Sequence, residues 1–229
     1  MMQTLDSMSP TLRGLEDVVR SRDLILVTGK GGVGKSTVVA ALAMLAARHR
    51  RGAVAVEIAA RPHLDQLLQA DARIELCNID LERSLPRVLG RMLHLPAIVG
   101  VALNNRVLRL FVRTSPAVVE TIYLDEIYEL VQQNAKRDRP VIVDLPATGH
   151  AVTLLDTPSS VRRMLRVGPV AAKAALIEAL LLNPQRCELV VVALPEELPV
   201  NETIELVQRA RELGLSSRTV VVNQVPVSL

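Results

Sequence analysis

The sequence predicts an α/β fold, a doubly wound and mostly parallel sheet with a helical insert. Short runs of aliphatic residues alternate with longer segments of helical character, as expected when parallel strands are buried on both faces. The runs at 24–27, 141–143 and 219–222 are followed by glycine or by polar residues. Such folds bind their ligands at the carboxyl ends of the strands, so these three endings predict one site.

The first predicted elements lie before residue 80. Ser9-Pro10 is typical of a helix start, because proline fits the first helical turn. The aliphatic run 24–27 indicates a buried strand, and the alanine-rich segment 36–48, after a glycine-rich turn, indicates a helix. A second strand at 54–58, a short helix at 63–69 and a small strand at 74–77 follow.

The alternation resumes near residue 140. The strand 141–143 ends at Asp144, and residues 161–182 are predicted as helical with a break at Gly168-Pro169. A strand at 189–194, a helix at 201–213 and a strand at 219–222 complete the series. Residues 81–138 read as helices inserted between strands, within a single domain spanning 1–229.

Composition excludes several classes of protein. Hydrophobic residues make up 49% of the 229 residues, so a sizeable core is expected. Aromatic residues make up 1% and the net charge is only +3, which argues against nucleic-acid binding. Cys77 and Cys187 form no metal or disulfide pattern, and no signal peptide or transmembrane segment is evident. A cytoplasmic location is the simplest expectation.

The glycine-rich segment after the first strand carries the clearest chemistry. Its glycines lack Cβ atoms, so backbone N–H groups can surround a phosphate at the start of the next helix. Lys35 is placed to neutralise the β- and γ-phosphates, and the Ser36 hydroxyl to bind Mg²⁺. The segment Gly29-Lys30-Gly31-Gly32-Val33-Gly34-Lys35-Ser36-Thr37 therefore predicts binding of ATP with Mg²⁺.

This segment also resembles the deviant Walker A motif of the MinD, ParA, nitrogenase-iron-protein and arsenite-pump ATPases. The feature that carries the resemblance is the extra lysine, Lys30, directly after the first glycine. The resemblance implies a P-loop ATPase with nucleotide contacts along Gly29–Thr37. It also implies a homodimer, or a dimer with a related ATPase, in which Lys30 acts on the partner's nucleotide.

Three further segments are similar to the arsenite-pump (ArsA) and tail-anchored-protein-targeting branch: 141–150, Ala193–Glu196 with Glu202-Thr203, and 220–224. Carried over, Asp144 holds the Mg²⁺ shell through water and the Gly149 N–H senses the γ-phosphate. Asn223 contacts adenine, unless it only caps the end of its strand.

One departure bears on turnover. The family usually carries Asp-Pro-Ala-His after the second strand, and its Asp orients the attacking water. Here Ala60 or Arg61 takes that place, depending on the alignment, and neither is a carboxylate. Slow hydrolysis is therefore expected unless Glu57 or Asp65 substitutes.

The helical insert is basic over much of its length. Residues 83–119 contain no Asp or Glu but six arginines, at positions 83, 87, 91, 106, 109 and 113. Arg83, Arg87 and Arg91 would share one helix face, although Pro86 interrupts the pattern. The surface suits a protein client, an acidic partner or an anionic membrane, or it is an ordinary solvated face.

The leading hypothesis is an ATP-binding, ATP-hydrolysing dimeric switch that couples nucleotide state to a helical partner surface. Lys30, Lys35 and Asp144 carry its chemistry. Two alternatives are a nucleotide-binding adaptor with little hydrolysis and a ParA- or MinD-like positioning ATPase.

Overall fold

The structure is a computed structural model that describes residues 9–58, 64–68, 71–93, 110, 112 and 114–226. Eight helices and six strands lie in these ranges: α1 (Ser9–Ser21), β1 (Leu24–Gly29), α2 (Lys35–His49), β2 (Ala53–Glu57), α3 (Leu64–Leu67), β3 (Ile74–Asn78), α4 (Leu81–Leu93), α5 (Pro116–Ala135), β4 (Val141–Asp144), α6 (Thr148–Met164), α7 (Pro169–Leu181), β5 (Cys187–Ala193), α8 (Glu197–Glu212) and β6 (Thr219–Val222).

The strands form one sheet in the order β3-β2-β4-β1-β5-β6, and every neighbouring pair is parallel. The predicted doubly wound α/β fold is therefore confirmed. The winding direction reverses at β1, which pairs with β4 on one side and β5 on the other. The crevice at the end of β1 is the position where this class of sheet binds ligands.

The side chains of β1 alternate between the two faces of the sheet, and each face carries one of the two main hydrophobic cores. Leu24 and Leu26 pack on the side covered by α5, α6, α7 and α8, whereas Ile25 and Val27 pack on the side of α1 and α2. All four side chains are fully buried. Because successive residues of a strand face opposite sides, a continuous aliphatic run is what a sheet covered on both faces requires.

Helices α4 and α5 occupy the predicted insert between β3 and β4. They pack against each other around Leu85, Val88, Met92 and Ile122. α5 also reaches the main core through Leu124, Ile127 and Val131. Pro86 lies inside α4 without ending it. That residues 1–229 form a single domain stays a prediction.

The predicted helix start at residue 161 is wrong. α6 begins at Thr148 and continues through Pro158 to Met164. Ala151, Leu154 and Leu155 have the spacing of one helix face and are buried in the main core. Their burial stabilises helical structure in a segment where the sequence did not predict a helix. α8 likewise begins at Glu197, four residues before the predicted start.

Candidate nucleotide-binding site

Three glycines of the loop between β1 and α2, Gly29, Gly32 and Gly34, have a backbone conformation that other residues rarely adopt, and at two of them a Cβ would also clash. Gly29 has φ 156°, and a Cβ there would lie 2.2 Å from the carbonyl oxygen of Val192 on β5. Gly34, at the start of α2, has φ 88°, and a Cβ there would lie 2.3 Å from Nδ2 of Asn223. These glycines let the loop pass close to β5 and to the end of β6.

The path of the loop also sets which of the other predicted loop residues are exposed and which are buried. Gly31 and Gly32 are exposed, Val33 is buried in the core beneath the loop, and Thr37 is exposed in the first turn of α2. Lys35 begins that helix, and its Nζ donates to the Lys30 carbonyl oxygen at 3.1 Å. The ammonium is thus folded back over the loop whose N–H groups would hold a phosphate.

Ser36 and Asp144, which are far apart in sequence, are in contact. The Ser36 hydroxyl donates to Oδ2 of Asp144 at 2.5 Å. The other carboxylate oxygen, Oδ1, is buried and has no hydrogen-bond partner among the described residues. Burial raises the pKa of Asp144 and nearby Glu57 adds to the rise, while the Ser36 hydrogen bond and the charge of Lys35 lower it.

This pair fits a magnesium site. An unpartnered buried carboxylate oxygen costs free energy unless a cation or its water approaches it. A hydroxyl beside a carboxylate, both oxygen donors, is the kind of ligand set that Mg²⁺ takes together with phosphate oxygens. Ser36 and Asp144 are therefore the residues that would hold the ion.

Glu57 is the carboxylate that lies beside this pair. It ends β2 directly opposite Asp144 in the β2–β4 register, and its side chain is buried. Its Oε2 accepts a hydrogen bond from the Leu64 backbone N–H at 3.4 Å. Asp65, the other predicted substitute, is exposed and accepts from the N–H of its neighbour Gln66. Ala60 and Arg61 lie outside the described residues.

Gly149 and His150 are exposed in the first turn of α6, just after the end of β4. A Cβ at Gly149 would meet no atom within 4 Å, so packing in this conformation does not require glycine there. Gly149 instead lines an open cleft between α6 and α8 whose other wall includes Glu202 and Arg209. Its predicted part in sensing phosphate stays a prediction.

Asn223 has a structural role that the sequence did not indicate. Its Nδ2 donates to the Val33 carbonyl oxygen at 2.9 Å, and its backbone N–H donates to the carbonyl oxygen of Ala193. The side chain thereby ties the end of β6 to the phosphate loop, close to Gly34. The predicted contact with adenine is not tested by these bonds and stays a prediction.

Lys30 is engaged within its own chain. Its Nζ lies 2.8 Å from Oε1 of Glu202 in α8, 172 residues further along. Local sequence could not indicate this partner, because the contact depends on how α8 packs beside the loop.

Comparison with known proteins places these features in a family. The profile of the anion-transporting ATPase (ArsA) family matches residues 22–171, which include the phosphate loop, Asp144 and Gly149. The chain belongs to the anion-transporting ATPase family. The predicted resemblance to the ArsA and targeting branch is therefore confirmed, and ATP is the nucleotide that membership in this family implies.

Comparison with individual proteins supports the same family. It is 31% identical to ATPase BagA of Mycobacterium tuberculosis over 227 residues, covering 90% of the chain and 66% of that protein. It is 26% identical to the arsenical pump-driving ATPase of Escherichia coli, covering 90% of the chain and 36% of that protein. With ATPase GET3 of Podospora anserina it shares 25% identity, covering 96% and 78%. The chain thus spans just under two thirds of the mycobacterial relative's length.

The basic face of the insert is partly neutralised. Arg91 lies 2.6 Å from Asp125 and 2.7 Å from Glu126 of α5, and Arg87 lies 3.3 Å from Glu126. Two of the three arginines predicted to share a face of α4, Arg87 and Arg91, therefore pair with acidic residues of α5. Arg106, Arg109 and Arg113 lie outside the described residues. In the part of the chain that is described, no helix is long and apolar enough to cross a membrane.

Proposed function

We propose that this chain is an ATP-dependent dimeric switch whose nucleotide state is coupled to a helical partner-binding surface. The observation that carries the proposal is the contact of Ser36 with Asp144 at 2.5 Å beside Lys35. A glycine-built loop, a lysine and a part-buried hydroxyl–carboxylate pair lie together here. Each of these features suits the binding of a phosphate together with a divalent cation.

Each residue has a distinct part in this proposal. The N–H groups of 29–37 surround the phosphates, Lys35 neutralises their charge, and Ser36 and Asp144 hold Mg²⁺. When bound, the ion offsets phosphate charge that would otherwise repel an incoming nucleophile. Lys30 contributes a cation to the partner's nucleotide across a dimer.

Helix α6 offers a physical route from nucleotide to partner. It begins at Thr148, beside Gly149, and its 17 residues span about 25 Å. Its far end leads into an exposed turn where Met164 is 80% and Val167 is 86% accessible. Arg163 and Arg166 flank these apolar side chains. A shift at the phosphate end would therefore be carried to an apolar and basic surface.

We expect ATP with Mg²⁺ to change amide hydrogen exchange at residues 162–168, because α6 is a rigid element with one end at the nucleotide. Mass-spectrometric exchange of the purified protein, with and without nucleotide, measures this. Lys35→Ala, whose ATP affinity is expected to be much lower, is the matched control and should show little change at the same ATP concentration. Equal exchange in wild type with and without saturating ATP would refute the coupling.

The rate of hydrolysis is expected to be low, since the sequence lacks the usual switch carboxylate at positions 60 and 61. We expect slow phosphate release from wild type and a rise of about 100-fold in Ala60→Asp or Arg61→Asp, the size of a typical acid–base contribution. Two variants are needed because the alignment allows either position. A phosphate-release assay at saturating ATP measures both.

Glu57→Gln tests whether the neighbouring carboxylate substitutes. If Glu57 orients the water, its loss lowers the residual rate while ATP affinity stays within a fewfold of wild type. Asp65→Asn tests the other predicted substitute, and because Asp65 is exposed and its carboxylate accepts from the Gln66 N–H, we expect this variant to keep the wild-type rate. If wild type and all of these variants bind ATP but release no phosphate, the protein is better described as a nucleotide-binding adaptor. The absence of an Asp at positions 60 and 61 favours that alternative.

A further inference from the structure

The second lysine of the loop forms an ion pair on its own protomer. The Lys30 ammonium lies 2.8 Å from Glu202, in the second turn of α8. The two side chains are 42% and 40% exposed, so the pair sits at the protein surface where another molecule can compete for it. Neither residue has a second ion-pair partner within the described ranges.

We propose that Glu202 is a positioning residue that holds Lys30 on its own protomer and thereby opposes dimerisation until nucleotide is bound. The inference rests on the proposed dimeric function, in which Lys30 reaches the partner's nucleotide. The ammonium cannot keep its 2.8 Å contact with Glu202 and also cross to a phosphate on another chain. Dimerisation therefore has to break two such pairs, one in each protomer.

The location of Glu202 links this pair to the nucleotide. Glu202 lines the same cleft as Gly149 and Thr153 of α6. A shift of the α6 start would move the cleft wall that faces Glu202. Phosphates carry several negative charges against the single charge of Glu202, so bound ATP in the partner would compete effectively for Lys30.

The size of the effect follows from the exposure of the pair. A partly exposed ion pair typically changes an equilibrium constant by about two- to fivefold. Because a dimer releases two lysines, the effects multiply, and removing Glu202 should tighten the dimer by about four- to twenty-five-fold.

The variant Glu202→Gln removes the charge and keeps the size of the side chain. We expect its dimer dissociation constant, measured by analytical ultracentrifugation with ATP and Mg²⁺, to fall by about four- to twenty-five-fold. Glu205→Gln is the matched control, since Glu205 is exposed on the same cleft of α8 and does not pair with Lys30. It should leave the constant within about twofold.

Two readouts separate positioning from a structural role. Structural damage would weaken the dimer, whereas release of Lys30 strengthens it. In a Lys30→Ala background Glu202→Gln should have no further effect, because the glutamate acts through that lysine. The difference between wild type and Glu202→Gln should also narrow at high salt, where ions screen an exposed pair.

The outcomes distinguish this inference from the function on which it rests. If wild type dimerises with ATP and Glu202→Gln dimerises no more tightly, the inference is wrong and the dimeric function stands. If neither protein dimerises with ATP, although calorimetry shows that both bind it, the dimeric function fails and the inference with it. Tighter ATP-dependent dimers of Glu202→Gln, abolished by Lys30→Ala, support both.

Discussion

Replacing Lys35 with alanine is expected to reduce ATP affinity by at least about 100-fold. Hydrogen bonds to charged groups each contribute about 1.5–3 kcal/mol, and the lysine is placed to reach two phosphates. Losing about 3 kcal/mol corresponds to about a 100-fold weaker dissociation constant. Isothermal titration calorimetry of the purified protein with ATP and Mg²⁺ measures the change.

The fold should tolerate this substitution. Lys35 is partly exposed, and its only hydrogen bond to the described residues is the one to the Lys30 carbonyl at 3.1 Å. Lys136→Ala, at an exposed lysine just after α5, is the matched control and should bind ATP like wild type. Unchanged affinity in a folded Lys35→Ala protein would overturn the assignment of the phosphate loop.

A companion variant distinguishes phosphate binding from metal binding. Asp144→Ala keeps the loop and Lys35 but removes the carboxylate that contacts Ser36. Losing a residue that orients a metal's shell typically costs about 10- to 100-fold in metal affinity. In calorimetry the variant should still bind ATP. Mg²⁺ increases the ATP affinity of wild type, and in the variant this increase should be about 10- to 100-fold smaller. A full Mg²⁺ effect in the variant would exclude Asp144 from the metal site.

The second large effect is expected on stability, from Asp125→Asn. Asp125 is completely buried on α5, with Arg91 of α4 at 2.6 Å and Lys173 of α7 at 3.2 Å. Removing one member of a buried charge cluster leaves its partners undercompensated and typically costs about 3–5 kcal/mol. Because Glu126 and Glu129 still pair with the two cations, the lower end, about 3 kcal/mol, is expected.

Lys173 shows how strongly this cluster acts on its members. Burial alone would lower the pKa of its ammonium, but a hydrogen bond to Glu129 and the charge of Asp125 raise it above the usual value. The same ammonium lies 4.8 Å from the centre of the Tyr128 ring. Ion pairs of this cluster therefore connect α4, α5 and α7.

Thermal or urea unfolding followed by circular dichroism tests the prediction. For a chain of this size about 3 kcal/mol corresponds to a fall in Tm of roughly 6–12 °C. Asp71→Asn is the control, since its ion pair with Arg73 lies at the surface and joins residues only two positions apart, so its loss should change Tm much less. A Tm of Asp125→Asn equal to that of wild type would mean that the cluster adds nothing net to stability.

The strands were predictable because each carries its own signal. Leu24, Ile25, Leu26 and Val27 are aliphatic in succession, and only a strand covered on both faces buries such a run completely. Helix boundaries were less predictable. The sequence predicted helix only from residue 161, whereas α6 begins at Thr148, and Ala151 and Leu154 in its first turns are buried in the core.

The sequence by itself determined the α/β fold, and it predicted the phosphate loop with Ser36 as a Mg²⁺ residue. Both follow from local backbone requirements and from the rule that ligands bind at the carboxyl ends of parallel strands. The Mg²⁺ role of Asp144 was implied by the resemblance to the family and stays a prediction. Only the tertiary structure decided that Lys30 pairs with Glu202 and that Asn223 braces Val33. It also decided that Arg91 turns inward to Asp125. Each of these contacts joins residues from different elements, so it depends on how the helices pack, and no local pattern encodes it.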